Sequence, residues 1–370
     1  MPRTIIIAPP LRIEPESTTR ASFLLAPGSS LLPDAGRRML FTFFFLLAAH
    51  CSLLTASASA GNWTRQPTGT MAWLHGIYFL DQNRGWIAGS SGTLLETTDG
   101  GQTWRKLYPL TKDNLRDVYF ANEKVGWLVA ERDVLKLKTN DEPRTYLMKT
   151  QDGGSSWQRV FLNGADVNAR LVRVVFADSQ RGWVFGESGI VFATRDGGVQ
   201  WTRQAAPTRH LLLGGTFLDY AHGWLVGAGA TILQTSDGGM SWQSGVVRDG
   251  AGARFTATSF AGNSLGWAVG TAGLIFATTD GGRTWSEQHS NIETDLFDVK
   301  FVDTSEGWAV GSQGTLLSTK DGGRHWIATS SGTSHALDRL FFVDQDHGWV
   351  VGFGGTLLSY GPLGAPRLKT

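Results

Sequence analysis

Three features of the sequence predict an all-β fold: seven Gly-Trp pairs, six copies of Thr-x-Asp-Gly-Gly-x-x-Trp, and short β-branched and aromatic runs between Gly/Asp/Asn/Ser clusters. Helix-type periodicity is scarce. The architecture they imply is a ring of seven four-stranded blades, a seven-bladed β-propeller whose last blade is closed by the N-terminal strand around Trp63.

The period carries the first part of that reading. The paired tryptophans are Trp86, Trp127, Trp183, Trp224, Trp267, Trp308 and Trp349. Most are 41 residues apart, which suits four short strands and their turns. The sixth repeat is the clearest. Leu296 to Phe301 reads as its first strand, Gly307 to Gly311 as the second, Gly314 to Thr319 as the third and His325 to Ser330 as the fourth. Two stacked sandwiches would interrupt the period, and a solenoid would leave both end repeats uncovered.

Closure carries the second part. The seventh repeat ends at "GGTLLSYG" without an Asp-Gly-Gly-x-x-Trp, while Trp63 lies 41 residues before Trp104, where a repeat tryptophan belongs. Both chain ends therefore supply strands to one blade. On this plan 14 of the 15 tryptophans have repeat positions, and Trp73 alone does not.

The aspartate motif looks catalytic in isolation and structural when counted. Its aspartates are Asp99, Asp152, Asp196, Asp237, Asp280 and Asp321. Each falls at the tight turn between third and fourth strands. There a carboxylate can accept hydrogen bonds from backbone N–H groups two or three residues on, and glycines supply positive φ. A single active site cannot use six equivalent copies around a ring. The Gly-Trp pairs read likewise, as a glycine where the chain bends and an aromatic wedged between blades.

Composition excludes some classes. The formal net charge is +1, which gives no general pull toward nucleic acid or anionic membrane. Residues 39–60, preceded by Arg37 and Arg38, have the layout of a secretory signal peptide: an apolar run, then small residues ending at Ala60. Residues 1–38 read as an N-terminal extension or a mis-assigned start, 61–361 as the propeller and 362–370 as a tail. The one cysteine, Cys51, lies in the signal segment. The eight histidines show no ligand spacing, so no metal is expected, and no helix follows the Gly-rich turns to hold phosphate, so no cofactor is either.

The motif Thr97-Thr98-Asp99-Gly100-Gly101-Gln102-Thr103-Trp104 resembles the Asp-box (BNR) repeat. Joined to V-x-F-x-D-x-x-x-G-W-A-V-G-x-x-G at Val299 to Gly314, it resembles the photosystem II stability/assembly factor family of seven-bladed propellers. The resemblance covers residues 62–361. It implies a non-catalytic, exported protein that binds a membrane-complex subunit: on the thylakoid-lumen side in a photosynthetic host, otherwise in the periplasm or envelope. In a non-photosynthetic host the corresponding role is accessory to an envelope transporter or surface complex. We expect a monomer with a protein partner and no nucleic acid.

Function must lie where the repeats differ. The second repeat carries an insertion, "ERDVLKLKTNDEPRTYLMKT", read as a projecting loop. Nine arginines and three lysines stand against nine acidic residues over 131–209. Arg116, Arg173 and Arg339 flank or replace the aspartate of the first-strand pattern L-x-D-V and are expected near one mouth of the channel. The family carries an arginine patch in a comparable region beside an insertion. The resemblance thus offers Arg116, Arg144, Arg170, Arg173 and Arg195 as partner-binding candidates, with Arg339 beside them. Guanidinium groups pair with carboxylates in bidentate fashion, so an acidic partner surface is the natural complement. The enzymatic alternative is an Asp-box glycoside hydrolase, sialidase-like. Against it, the Phe-Arg-Ile-Pro-like opening element is absent, no tyrosine stands in a motif beside a glutamate, and most aspartates serve turns.

Overall fold

The computed structural model describes residues 61–108, 111–133, 135, 137, 142–162 and 169–361; the predicted extension, signal segment and tail lie outside these. Seven antiparallel sheets follow one another in chain order, over residues 74–107, 114–160, 171–203, 212–244, 255–288, 296–328 and 337–361, here blades 1 to 7. In blade 7 the outermost strand is Asn62–Arg65, antiparallel to Leu357–Gly361 with Trp63 opposite Tyr360. The N-terminal strand therefore closes the ring as predicted. In blade 6 the first two strands match their predicted bounds, while the third is Leu316–Thr319 and the fourth only Ile327–Ala328. One feature was not anticipated. Val246–Val247 pairs in parallel with Thr284–Gln288, adding a fifth strand that covers the outer edge of blade 5.

The core is a repeated aromatic triple. A phenylalanine stands at the end of each inner strand, last in six blades and last but one in blade 5: Phe79, Phe120, Phe176, Phe217, Phe260, Phe301 and Phe342. Each stacks on the Gly-Trp tryptophan of the preceding blade, with centroids 3.4–4.4 Å apart. Each also meets the outer-strand tryptophan of its own blade edge-on at 5.7–6.2 Å. Trp349 on Phe79 joins blade 7 to blade 1, and its indole N–H donates to Gly100 O at 3.0 Å. Offset-stacked and T-shaped pairs are the favourable aromatic geometries, so every blade seam receives both.

The Gly-Trp glycines do not serve bends. They lie within strands, and a Cβ on any of the seven would sit 2.2–2.7 Å from the ring of that same phenylalanine. Glycine is required because the ring occupies the space, not because the chain turns.

The Asp box is structural, with a small difference in register. The carboxylate accepts from the backbone N–H four residues on, at 2.8–3.0 Å in all six copies. Asp196 also accepts from Val199 N three residues on at 3.0 Å, while the full two-and-three pattern belongs to the turn after the inner strand, where Asp81 accepts from Asn83 N and Arg84 N. In the box itself the threonine hydroxyl donates to the carboxylate and accepts from the second glycine N–H, as at Thr97, Asp99 and Gly101. Both glycines have positive φ in every copy. Burial works against ionisation of Asp280, yet hydrogen bonds from Thr284 and Thr278 hold its carboxyl at about 2. A depressed folded-state pKa gives stability that is present above the unfolded value and lost as pH falls toward 2. Asp280→Ala is expected to cost about 1 kcal/mol at neutral pH. The gap to the parent should shrink below pH 4 in paired thermal melts; a gap that stays constant with pH would contradict this role.

Candidate functional site

Strand register gives each blade two ends. In blade 3, Phe176 lies opposite Gly182, and Gly182 opposite Thr194, at the end carrying the Asp box. Leu171 lies opposite Gly186 at the other end. There six blades place a short 3-10 or hydrogen-bonded turn after the second strand, and the first turn N–H bonds back to the residue preceding the inner strand. The pairs are Ser90 to Trp73, Glu187 to Arg170, Ala228 to Leu211, Thr271 to Arg254, Ser312 to Asp295 and Phe353 to Ala336. These two columns form the rim of this face. The glycine between them is forced: at Gly186 a Cβ would lie 1.9 Å from Arg170 O.

Blade 2 departs from the pattern because of its insertion. Its second and third strands run on to pair Glu131 with Thr145, and Arg132 N donates to Arg144 O. Glu131 thus occupies the column of Glu187 and is 5% exposed. Three predicted arginines converge on it. Arg116 Nε bonds Oε2, Arg144 Nη2 reaches Oε1 at 3.1 Å and Arg170 Nε lies 3.3 Å from Oε1. Arg144 also contacts Glu187 at 3.4 Å, and Glu187 accepts from Arg170 N. Arg116, Arg144 and Arg170 remain 26–29% exposed. Burial, and then the neighbouring guanidinium groups, push the Arg170 pKa down against the pull of Glu131. Arg132 stands alongside, near Asp113 and Glu142.

The other candidates separate from this group. Arg173 Nη2 lies 3.8 Å from Asp298 Oδ1, joining blade 3 to blade 6 across the channel, with side-chain exposures of 12% and 8%. Asp298 Oδ2 also accepts from Leu340 N, and Asp117 Oδ2 from Val174 N, so both aspartates bind the neighbouring blade. Burial drives the Asp117 carboxyl up to about 6 in spite of Arg173, and drives Asp298 up as well. Arg339 holds the same inner-strand column in blade 7, and its buried Nε has no hydrogen-bond partner among the described residues. Arg195 follows Thr194 and so lies on the Asp-box face, exposed and away from the rest. There it borders a groove with Arg181, Trp183, Tyr220 and Met240.

Sequence reasoning missed Glu131 and Glu187, the anions that gather the arginines. The fifth residue after each Gly-Trp glycine is the column that would have revealed them. Among the described residues no group of three or more His, Cys, Asp or Glu side chains is placed to hold a metal ion.

Comparison with known proteins adds the following. The profile of the family described as Photosynthesis system II assembly factor YCF48 matches residues 55–145, 107–209, 199–294 and 287–361. The Photosystem II assembly lipoprotein Ycf48 of Synechococcus sp. (strain CC9902) is 29% identical over 113 residues, 30% of this chain. That match spans only 30% of the relative's length. Among solved structures, YCF48 bound to D1 peptide superposes with a TM-score of 0.67 at 21% identity, over 81% of this chain and 94% of that one. The GH74 xyloglucanase from Xanthomonas campestris superposes at 0.62 with 14% identity, over 83% of this chain and 55% of that one, a likeness of fold alone.

Proposed function

The chain belongs to the photosystem II assembly factor YCF48 family, and on that premise we propose that it is a non-catalytic, exported binding propeller. Its ligand would be an acidic peptide segment of a membrane-complex subunit, held on the rim face by Arg116, Arg144 and Arg170. The observation that carries the reading is their convergence from three separate chain segments onto one buried glutamate. Glu131 holds the three guanidinium groups in fixed places without neutralising them, and a partner carboxylate can take the remaining donors. The D1 peptide bound by the YCF48 relative supports a peptide partner. The layout of residues 39–60 supports export, to the thylakoid-lumen side where a photosystem exists.

The absence of catalysis is supported by how the acids are used. Glu131 and Glu187 are engaged by arginines, Asp117 and Asp298 brace neighbouring blades, and the Asp-box carboxylates hold turns. The test is capture of overlapping D1 peptides by the purified propeller. One window should bind, and Arg144→Ala with Arg170→Ala should weaken it at least about tenfold, about 1.4 kcal/mol. Binding should also weaken with added salt. Equal capture by the double variant would overturn the assignment of this face.

A further inference from the structure

Trp73, the tryptophan outside the repeat plan, sits in the rim column that holds Arg170 in blade 3. Its backbone is fixed on both sides by Ser90: Trp73 N donates to Ser90 Oγ at 3.0 Å and Ser90 N donates to Trp73 O at 2.8 Å. The indole is nonetheless 41% exposed. Beside it stands Phe353, 48% exposed, in the column occupied by Ser90 and Ser312 in blades 1 and 6. The two rings meet edge-on with centroids 5.4 Å apart. Met71, 81% exposed, precedes Trp73 on the same connecting segment. In both columns, then, the seam of blades 7 and 1 carries a large aromatic where the paired positions of the other blades carry none, and leaves it in water.

This apolar sector is continuous with the arginine sector. The Trp73 and His75 rings are 5.2 Å apart, and His75 Nε2 lies 3.4 Å from Arg116 Nη1. Blades 7, 1, 2 and 3 are neighbours around the ring, so an aromatic platform and a cationic cluster stand side by side on one face. Exposed aromatic patches of this kind mark interaction sites, and tryptophan beside arginine is the composition of binding hot spots.

We infer that Trp73 and Phe353 form a second subsite of this face, which takes an aromatic or branched aliphatic side chain of an extended peptide whose carboxylate lies at Arg116, Arg144 and Arg170. The inference rests on the arginine-face reading above. An extended chain advances about 3.3–3.6 Å per residue, so the apolar side chain would stand roughly two to four residues from the acidic group. The subsite gives the face a sequence preference that charge pairing alone does not supply.

The experiment uses the D1 peptide window captured by the propeller, and the same window with each aromatic or branched aliphatic residue changed in turn to alanine. Trp73→Ala installs the residue blade 7 carries as Ala336, and Phe353→Ser installs the residue of Ser90 and Ser312, so both variants should fold; thermal melts check this. Each variant should weaken the parent peptide about tenfold. One alanine-substituted peptide should bind parent and variant proteins alike, whereas Arg170→Ala should weaken both peptides equally. Affinity within about twofold of the parent for both Trp73→Ala and Phe353→Ser, with the arginine dependence intact, would overturn the subsite and leave the arginine face standing. Failure of any peptide to depend on the arginines would overturn both.

Discussion

Arg173→Ala is expected to be among the most destabilising single changes in this chain, although Arg173 reads from the sequence as a binding residue. The side chain crosses the channel to Asp298 and sits near Asp117, and both aspartates are buried. Removing the cation takes the strongest charge partner from both carboxylates and leaves Asp298 with Lys300, a loss of about 3–5 kcal/mol by analogy with other broken buried pairs. The pH dependence has a definite sign. Asp117 is pushed up to about 6 in the folded state, so its favourable contribution is complete below the unfolded value near 4 and is lost as pH rises through 6. Without Arg173 that rise grows, because burial is then opposed only by the backbone N–H groups of Val174 and Val118. The deficit of Arg173→Ala against the parent should therefore be largest at pH 7.5 and smaller at pH 5, as read by denaturant unfolding. A variant as stable as the parent at both pH values would show that Arg173 does not brace the channel. Arg170→Ala should differ, since Glu131 keeps Arg116 and Arg144, and its effect should fall on binding.

Phe301→Ala should cost about 3–5 kcal/mol, the range for a large buried aromatic. Phe301 is 3% exposed, stacked on Trp267 at 3.4 Å and met edge-on by Trp326 at 5.7 Å. Its loss opens a seam between blades 5 and 6 and strands two indoles at once. Gly307→Ala attacks the same triple by adding volume, since the new Cβ would lie 2.7 Å from the Phe301 ring. Overpacking of that kind costs about 1–3 kcal/mol. The double variant Phe301→Ala with Gly307→Ala should be less destabilised than the two single costs added together, because the methyl group then enters the space the ring vacates. Strict additivity in the unfolding measurements would argue that the glycine serves some purpose other than room for the ring.

The blade count, the four-strand repeat and the closing strand at Trp63 were legible because they repeat. A motif seen six times announces its own role, and a tryptophan displaced by one period announces a split blade. The turn glycines were legible for the same reason, through the positive φ that the Asp box demands. The role of the Gly-Trp glycines was not legible. Their neighbour in space is a phenylalanine earlier in the same blade, and only strand pairing brings Phe301 over Gly307.

The site divides along the same line. The sequence by itself determined that this is a ring of seven blades, that the aspartate motif is scaffold, and that arginines concentrate around the second and third repeats. Which arginines come together was decided by tertiary structure. Arg116, Arg144 and Arg170 meet because the insertion extends two strands of blade 2 far enough to put Glu131 at the rim. Arg173, only three residues after Arg170, instead turns into the channel toward Asp298, 125 positions along the chain. Arg195 lies on the far face because it stands at the other end of its strand register. Local pattern fixes which strand a residue belongs to. Which charge it meets is set by the closure of the ring, and burial of unpaired charge is costly enough to make that pairing decisive.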